Sequence, residues 1–284
     1  MNILTFDIED WWVYDHYGLG NADDYLPRLD WYLNEILDLL DRKNFKATFF
    51  CLGQVARQYP YVIKKIASHG HHIGCHSYNH QFLGDLKPEE FAADTKLAID
   101  SIEDAIGIKV NSYRAPAFSI TEESKWAIEI LAENGIEYDC SIYPATRSFG
   151  GFPSAHMNNP TIIKYNHSEL REFPMSLTKI FGKEFAYSGG GYFRLMPYPI
   201  IERIVAKSNY VITYFHIKDF DVKQLKSSSL LSSRESPILR YFKNYYGIKG
   251  AYTKFERLLA DFEFVSIEQA SKMIDWEKIP KFNL

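Results

Sequence analysis

A single parallel α/β barrel is the fold class that this sequence predicts. Short β-type runs alternate with helix-length amphipathic segments from end to end, and seven or eight such βα steps follow one another without a break in composition. The length of 284 residues is one that a single barrel core routinely uses, so one domain over 1–284 is expected. A doubly wound open sheet is the structural alternative.

The elements follow in order. Ile3 to Phe6 reads as the first strand, and Leu26 to Arg42 as a helix whose Leu29, Leu33, Ile36, Leu37 and Leu40 share one face. Ala47 to Cys51 is the next strand, and Gln54 to Ser68 the next helix, stopped by Gly70. His72 to Cys75 gives a third strand before a helix from Pro88, suited to a first turn, to Ile106, where Gly107 ends it. Ser112 to Arg114, Tyr138 to Ser141, Arg171 to Phe173, Tyr210 to His216 and Phe262 to Ser266 continue the strands. Helices are expected near Glu122–Asn134, Tyr198–Lys207 and Ala251–Ala260. Two loop insertions interrupt the rhythm. Residues 144–165, rich in Gly, Pro, Asn and Ser, read as an excursion over the barrel mouth; residues 223–246 read as a solvated insertion.

Composition narrows the function classes. With 46% hydrophobic, 24% charged and 16% aromatic residues the chain is that of a packed protein. The 36 acidic residues against 32 basic ones give a net charge of -4, which offers no field to gather nucleic acid or an anionic membrane. Cys51, Cys75 and Cys140 are too few and too irregular for a disulfide framework or a thiolate zinc site. The N-terminus runs from Met1 straight into a strand with no signal-peptide pattern, and no apolar run is long enough for a transmembrane segment, so a cytoplasmic location is expected.

In such a barrel, functional side chains gather at the C-terminal ends of the strands. The first strand ends in Asp7-Ile8-Glu9-Asp10, the third in His76-Ser77-Tyr78-Asn79-His80, the fourth in Arg114-Ala115-Pro116, the fifth in Asp139 and the late one in His216. Two imidazoles and a carboxylate form a three-ligand set with open positions, suited to a divalent metal that activates water. His76 and His80, four apart, reach one side if the segment turns helically after the strand.

These ordered motifs, with Thr5-Phe6-Asp7-Ile8-Glu9-Asp10 and Asp139-Cys140-Ser141-Ile142-Tyr143-Pro144, resemble those of the polysaccharide deacetylases, the carbohydrate esterase family 4 or NodB-homology group. Glu172-Phe173-Pro174, Gly189-Gly190-Gly191-Tyr192-Phe193-Arg194 and Phe215-His216-Ile217-Lys218-Asp219-Phe220-Asp221 resemble the branch associated with bacterial exopolysaccharide clusters. The resemblance implies a distorted parallel barrel of about seven strands and metal-dependent removal of N-acetyl groups from an amino sugar. The divalent metal it implies is zinc first, with iron, cobalt, nickel or manganese as alternatives. It further implies a metal held by His76, His80 and a strand-one carboxylate, Asp7 as general base, Arg114 holding that carboxylate, and His216 protonating the departing amine. Asp139 would orient an imidazole or Arg114. The family motif has two adjacent aspartates where this chain has Ile8 and Glu9 between Asp7 and Asp10. A turn after Asp7 selects Asp10 as ligand, the favoured choice; continued strand geometry selects Glu9, which faces the same side as Asp7.

Trp11, Trp12, Tyr143 and Tyr192 near the mouth favour a sugar partner, and a cytoplasmic enzyme would meet a biosynthetic intermediate, lipid-linked or nucleotide-linked, before export. A same-fold hydrolase of a non-sugar amide and a glycan-binding pseudoenzyme are the rival readings. Gly189-Gly190-Gly191 reads as a turn or a tight backbone approach, since no nucleotide-binding pattern surrounds it. Sugar identity and oligomeric state are not legible in the chain.

Overall fold

The computed structural model describes residues 1–9, 22–147, 150–180, 182–223 and 245–284. The first strand comes in two pieces, β1 (Asn2–Ile3) and β2 (Thr5–Ile8), followed by helix α1 (Ala22–Lys43). Then come β3 (Thr48–Cys51), α2 (Gly53–Gln58), α3 (Pro60–Ser68), β4 (His72–Cys75), α4 (Pro88–Ile106), β5 (Ser112–Tyr113), α5 (Ala127–Glu133) and β6 (Tyr138–Asp139). Strands β7 (Thr161–Tyr165), β8 (Ser168–Glu172), β9 (Thr178–Ile180) and β10 (Lys183–Phe185) precede α6 (Gly190–Leu195) and α7 (Tyr198–Lys207). The last elements are β11 (Val211–Ile212), β12 (Phe215–His216), α8 (Ala251–Asp261), α9 (Ile267–Met273) and β13 (Lys281–Asn283).

The main sheet runs β12-β2-β3-β4-β5-β6-β8-β7-β13. From β12 to β8 every neighbour is parallel, which makes the expected seven parallel strands. The barrel is distorted because its seam is not a hydrogen-bonded ladder among the described residues. Between β8 and the late strand the stitches are side chains: Ile212 N–H donates to Ser176 Oγ (2.9 Å), the Tyr210 hydroxyl to Pro174 O (2.8 Å) and Ser188 Oγ to Ile212 O (2.7 Å). One bridge, Gly189 to Tyr214, completes it.

Strand alternation sorts the side chains. Leu4, Phe6 and Ile8 join the outer layer, with Leu29, Leu33, Ile36, Leu37 and Leu40 of α1, whereas Ile3 faces a separate inner cluster containing Phe50, Phe173 and Ile212. Helix α4 ends as expected, with Gly107 at φ 70 in the left-handed conformation of a C-cap.

Three expectations are corrected. The excursion over 144–165 ends in β7, which pairs antiparallel with β8 as a hairpin; Thr161-Ile162-Ile163 are β-branched, Ile163 is buried, and Asn166 supplies the turn at φ 52. Phe262–Ser266 is not a ladder strand but a single bridge from Ile3 to Val265, because Ser266 already caps α9 by accepting from Gln269 N–H (3.2 Å). The helix expected from Glu122 begins as a 3-10 turn, Glu122–Ser124, before α5. Of the insertion at 223–246, residues 224–244 lie outside the described residues.

Candidate active site

Alternation inside the barrel continues past the end of β2. Thr5, Asp7 and Glu9 are all buried, and Thr5 N–H donates to Thr213 Oγ1 of the neighbouring strand segment (2.8 Å). Glu9 therefore stands beside Asp7 at the mouth, the arrangement that continued strand geometry selects; Asp10 lies outside the described residues, as do Trp11 and Trp12. Glu9 Oε2 meets His76 Nε2 at 3.1 Å and His80 Nε2 at 2.6 Å. One ligand atom from each of the three lies within 4.8 Å of the others.

The two imidazoles converge by a route other than the helical turn expected. Ser77 (φ 66) and His80 (φ 58) take left-handed backbone, and His80 N–H donates back to Ser77 Oγ (2.9 Å). The loop is pinned to α2, whose Gly53 and Gln54 N–H groups donate to Ser77 O and Tyr78 O. His76 Nδ1–H donates to Arg114 O (2.7 Å), which fixes the tautomer and leaves Nε2 as the free lone pair, the usual second-shell arrangement for a metal-binding histidine. The donor set, two imidazole nitrogens and a carboxylate already sharing one small volume, fits a divalent metal such as zinc.

Burial works against charge at Glu9, yet His80, Lys218 and His216 outweigh it and hold the carboxyl well below its usual range. Lys218 Nζ lies 3.1 Å and His216 Nε2 3.3 Å from Glu9 Oε1. Burial likewise opposes the His76 cation, but Asp7 and Glu9 overcome it and raise its pKa; at His80 burial, joined by the charges of His76 and Lys218, outweighs Glu9.

Asp7 accepts from Arg114 Nη1 at Oδ1 (2.8 Å), leaving Oδ2 toward His216 Nε2 at 3.9 Å. Arg114 is fully buried and stacks on Phe50, its guanidinium carbon 4.3 Å from the ring centroid. His216 Nδ1 is 3.1 Å from Asp219 Oδ2, which also accepts the His216 backbone N–H (2.9 Å). Asp219 is paired in turn with Arg194, buried at the end of α6. Burial pushes the His216 imidazole down to about 4 despite Glu9.

Asp139 reaches the Arg114 loop indirectly. It accepts from Ser141 Oγ and stands in register beside Glu172 on β8, and Ser141 Oγ, which accepts from Ala115 N–H (2.8 Å), links it to the Arg114 loop. Burial raises both carboxyls of this pair, Glu172 well above its ordinary value. Tyr143 does not line an open mouth: it is buried in the inner apolar cluster, while Tyr192 packs edge-on against Phe185 at 5.5 Å. Gly189 makes the tight approach expected of the glycine run, since a Cβ on it would collide with the Tyr214 carbonyl.

Sequence reasoning assigned no role to Asp219, Lys218, Arg194 or Glu172. Only Asp219 carried a local signal, three residues after a strand-terminal histidine where a capping carboxylate belongs.

Residues 4–138 match the polysaccharide deacetylase family, and residues 140–272 match a domain of unknown function (DUF3473). A peptidoglycan-N-acetylglucosamine deacetylase of Bacillus cereus is 36% identical over 96 residues, 34% of this chain and 35% of that protein. Chitin deacetylase 1 of Cryptococcus neoformans is 32% identical over 101 residues, 36% of this chain and 21% of its own. The chain thus spans about a third or less of the length of those relatives. A solved structure from Mycobacterium smegmatis, provisionally described as a polysaccharide deacetylase, superposes with TM-score 0.68 over 100% of this chain and 92% of its own at 17% identity, a likeness of fold.

Proposed function

We propose that this chain, whose residues 4–138 belong to the polysaccharide deacetylase family, is a metal-dependent hydrolase that removes N-acetyl groups from an amino sugar. The observation that carries the reading is the convergence of Glu9, His76 and His80 within 4.8 Å beside the Asp7–Arg114 pair and His216. Residues 1–284 act as one catalytic unit: β6 spans the junction of the two matched regions and pairs with β5 on one side and β8 on the other, and His216 comes from the second region.

Glu9, His76 and His80 hold the metal, with zinc the first expectation. A divalent ion there supplies Lewis-acid polarisation of the acetyl carbonyl and acidifies water. Asp7 Oδ2, the oxygen not taken by Arg114, accepts the proton of the attacking water, while Arg114 fixes the carboxylate through Oδ1. A backbone N–H beyond Pro116 contributes to stabilising the oxyanion. His216 Nε2, oriented through Nδ1 by Asp219, delivers a proton to the leaving nitrogen, giving acetate and a free amine. Because burial keeps that imidazole neutral at pH 7, the proton it delivers is one gained during turnover, and Asp7 Oδ2 at 3.9 Å is the donor in reach. Asp139 is a positioning residue, acting on the Arg114 loop through Ser141 and Ala115. The substrate is an N-acetylated sugar or oligosaccharide of polysaccharide assembly, met in the cytoplasm as a lipid- or nucleotide-linked intermediate. No described helix is long and apolar enough to cross a membrane.

Acetate release from a panel of N-acetylated glycans tests the reading in the metal-loaded protein, the chelated protein and His76→Ala. Release that needs both metal and His76 supports it. Stoichiometric metal without release redirects the assignment to a non-sugar amide, and absence of metal binding to a glycan-binding pseudoenzyme.

A further inference from the structure

The loop after β6 carries a cation that the mechanism does not use. Arg147 lies with its guanidinium carbon 4.7 Å from the centroid of Tyr143 and 5.2 Å from that of Phe118. Its Nη1 is buried without a hydrogen-bond partner, and among the described residues no carboxylate reaches ion-pair distance of it. The side chain as a whole is half-buried, and its enclosed guanidinium nitrogen is left wanting an acceptor that an anionic ligand could supply.

The surroundings are built rather than incidental. Ala117 (φ 52) and Phe118 (φ 55) hold left-handed backbone that non-glycine residues seldom adopt, strain of the kind that accumulates at functional sites. Gly150 lets the Arg147 loop press onto the Phe118 carbonyl, where a Cβ would collide; Gly151 N–H donates to Phe118 O (3.1 Å) and Arg147 N–H to Gly150 O (3.2 Å). Phe118 also lies beneath Arg114, 5.6 Å from its guanidinium carbon, and its ring meets Tyr214 edge-on at 5.6 Å, with His216 6.3 Å beyond. Two guanidinium groups thus share one ring, Arg114 committed to Asp7 and Arg147 uncommitted. Burial raises the Tyr143 and Tyr214 hydroxyls and outweighs the pull of Arg147 toward their ionised forms, so neither supplies it with a counter-charge.

We infer that Arg147 is the anion-binding residue of a substrate subsite beside the catalytic centre, and that the acetylated sugar or its immediate neighbour carries an oxyanion, a carboxylate or a phosphate. The planar guanidinium suits either group, and stacking on two rings presets its plane for bidentate contact. The inference rests on the deacetylase reading for the sugar, and it narrows that substrate from any N-acetylated glycan to an acidic or phosphorylated one.

Calorimetric binding to the metal-loaded protein, with N-acetylglucosamine, N-acetylmuramic acid and N-acetylglucosamine 1-phosphate as probes, reads the subsite without needing turnover. The wild type is expected to prefer at least one anionic probe over the neutral sugar by about tenfold, the size of one charge-assisted contact. Carboxylate and phosphate are told apart by which probe carries the preference. Arg147→Gln should bring the anionic-to-neutral ratio near one, and Arg147→Lys should keep most of it. In the wild type, raising salt should weaken the anionic probe and leave the neutral one, a check that stands even if Arg147→Gln misfolds. Equal affinity for neutral and anionic probes, a preference indifferent to salt, or one that survives in Arg147→Gln overturns the inference. An Arg147-dependent preference with no acetate released from any glycan would keep the subsite and sink the deacetylase.

Discussion

Strand β4 leads from one imidazole to another, and the two ends of the barrel treat them oppositely. At the closed end His71 takes the Ala47 N–H on Nδ1 (3.3 Å), and burial pushes its pKa down to about 4. At the mouth His76 is also buried, yet its pKa is raised, because Asp7 and Glu9 outweigh desolvation. The carboxyls show both outcomes at a single rim, Glu172 pairing with Asp139 at the C-terminal ends of β8 and β6. Glu9, ringed by His80, Lys218 and His216, is held well below its ordinary range, whereas Glu172, against Asp139, is driven well above it. Burial alone switches an ionisable group off; gathering opposite charges in the same low dielectric keeps it on. Position at the mouth is not enough, since burial lowers His80 and His216 there too; Glu9 and His76, each facing opposite charges, are the groups kept ionised.

The largest effect expected at the mouth is loss of the metal. Glu9→Ala and His80→Ala should each abolish stoichiometric zinc uptake, measured by equilibrium dialysis, and Asp10→Ala should leave it intact; the opposite result for the two acids would make Asp10 the ligand. Asp7→Asn should keep the metal and lose about 10²–10⁴ in kcat, since it removes a proton acceptor rather than a ligand. A variant that loses the metal as well would merge the two roles.

Outside the metal-ligand set the effects shrink. Glu172→Gln swaps a carboxyl whose pKa is raised for a neutral amide, so chemical denaturation at pH 7 should place it within about 1 kcal/mol of the wild type. The sign follows from linkage: a raised carboxyl stabilises the fold below its unfolded pKa and loses that contribution as pH rises through the folded value. Glu172→Gln should accordingly lose less stability than the wild type between mildly acidic and neutral pH, and a drop of several kcal/mol would show that an ionised Glu172 is required. For His71 the window lies lower. A base whose folded pKa is about 4 against 6.5 unfolded stabilises fully above 6.5, and the contribution fades as pH falls toward 4. Melting curves should show a loss on the order of 1–3 kcal/mol across that window, flattened in His71→Gln.

The strand-end rule made the mouth legible: Asp7, His76, Arg114 and His216 close strands, His80 follows four residues after His76, and all five meet in the structure. Glu9 was legible as one branch of a period-2 argument. The partners of these residues were not. Arg194 and Asp219 are 25 residues apart, and the α6 turn that brings them together depends on glycines packing against β11–β12. Asp139 carries the same strand-end signal as the catalytic residues, but its neighbour on β8 is Glu172, a pairing set by strand order across the β7–β8 hairpin.

Local chemistry dictated what the chain alone discloses: hydrophobic periods of two and near four, capping residues and turn residues define elements, and element order defines a parallel barrel with polar groups at one rim. Which carboxylate faces the two imidazoles, which acid pair holds a proton and which arginine lacks a partner were decided by tertiary structure. Those outcomes depend on contacts between residues distant in sequence, Asp7 and Arg114 lying 107 positions apart, and on a dielectric that exists only once the sheet and its helices have packed around them.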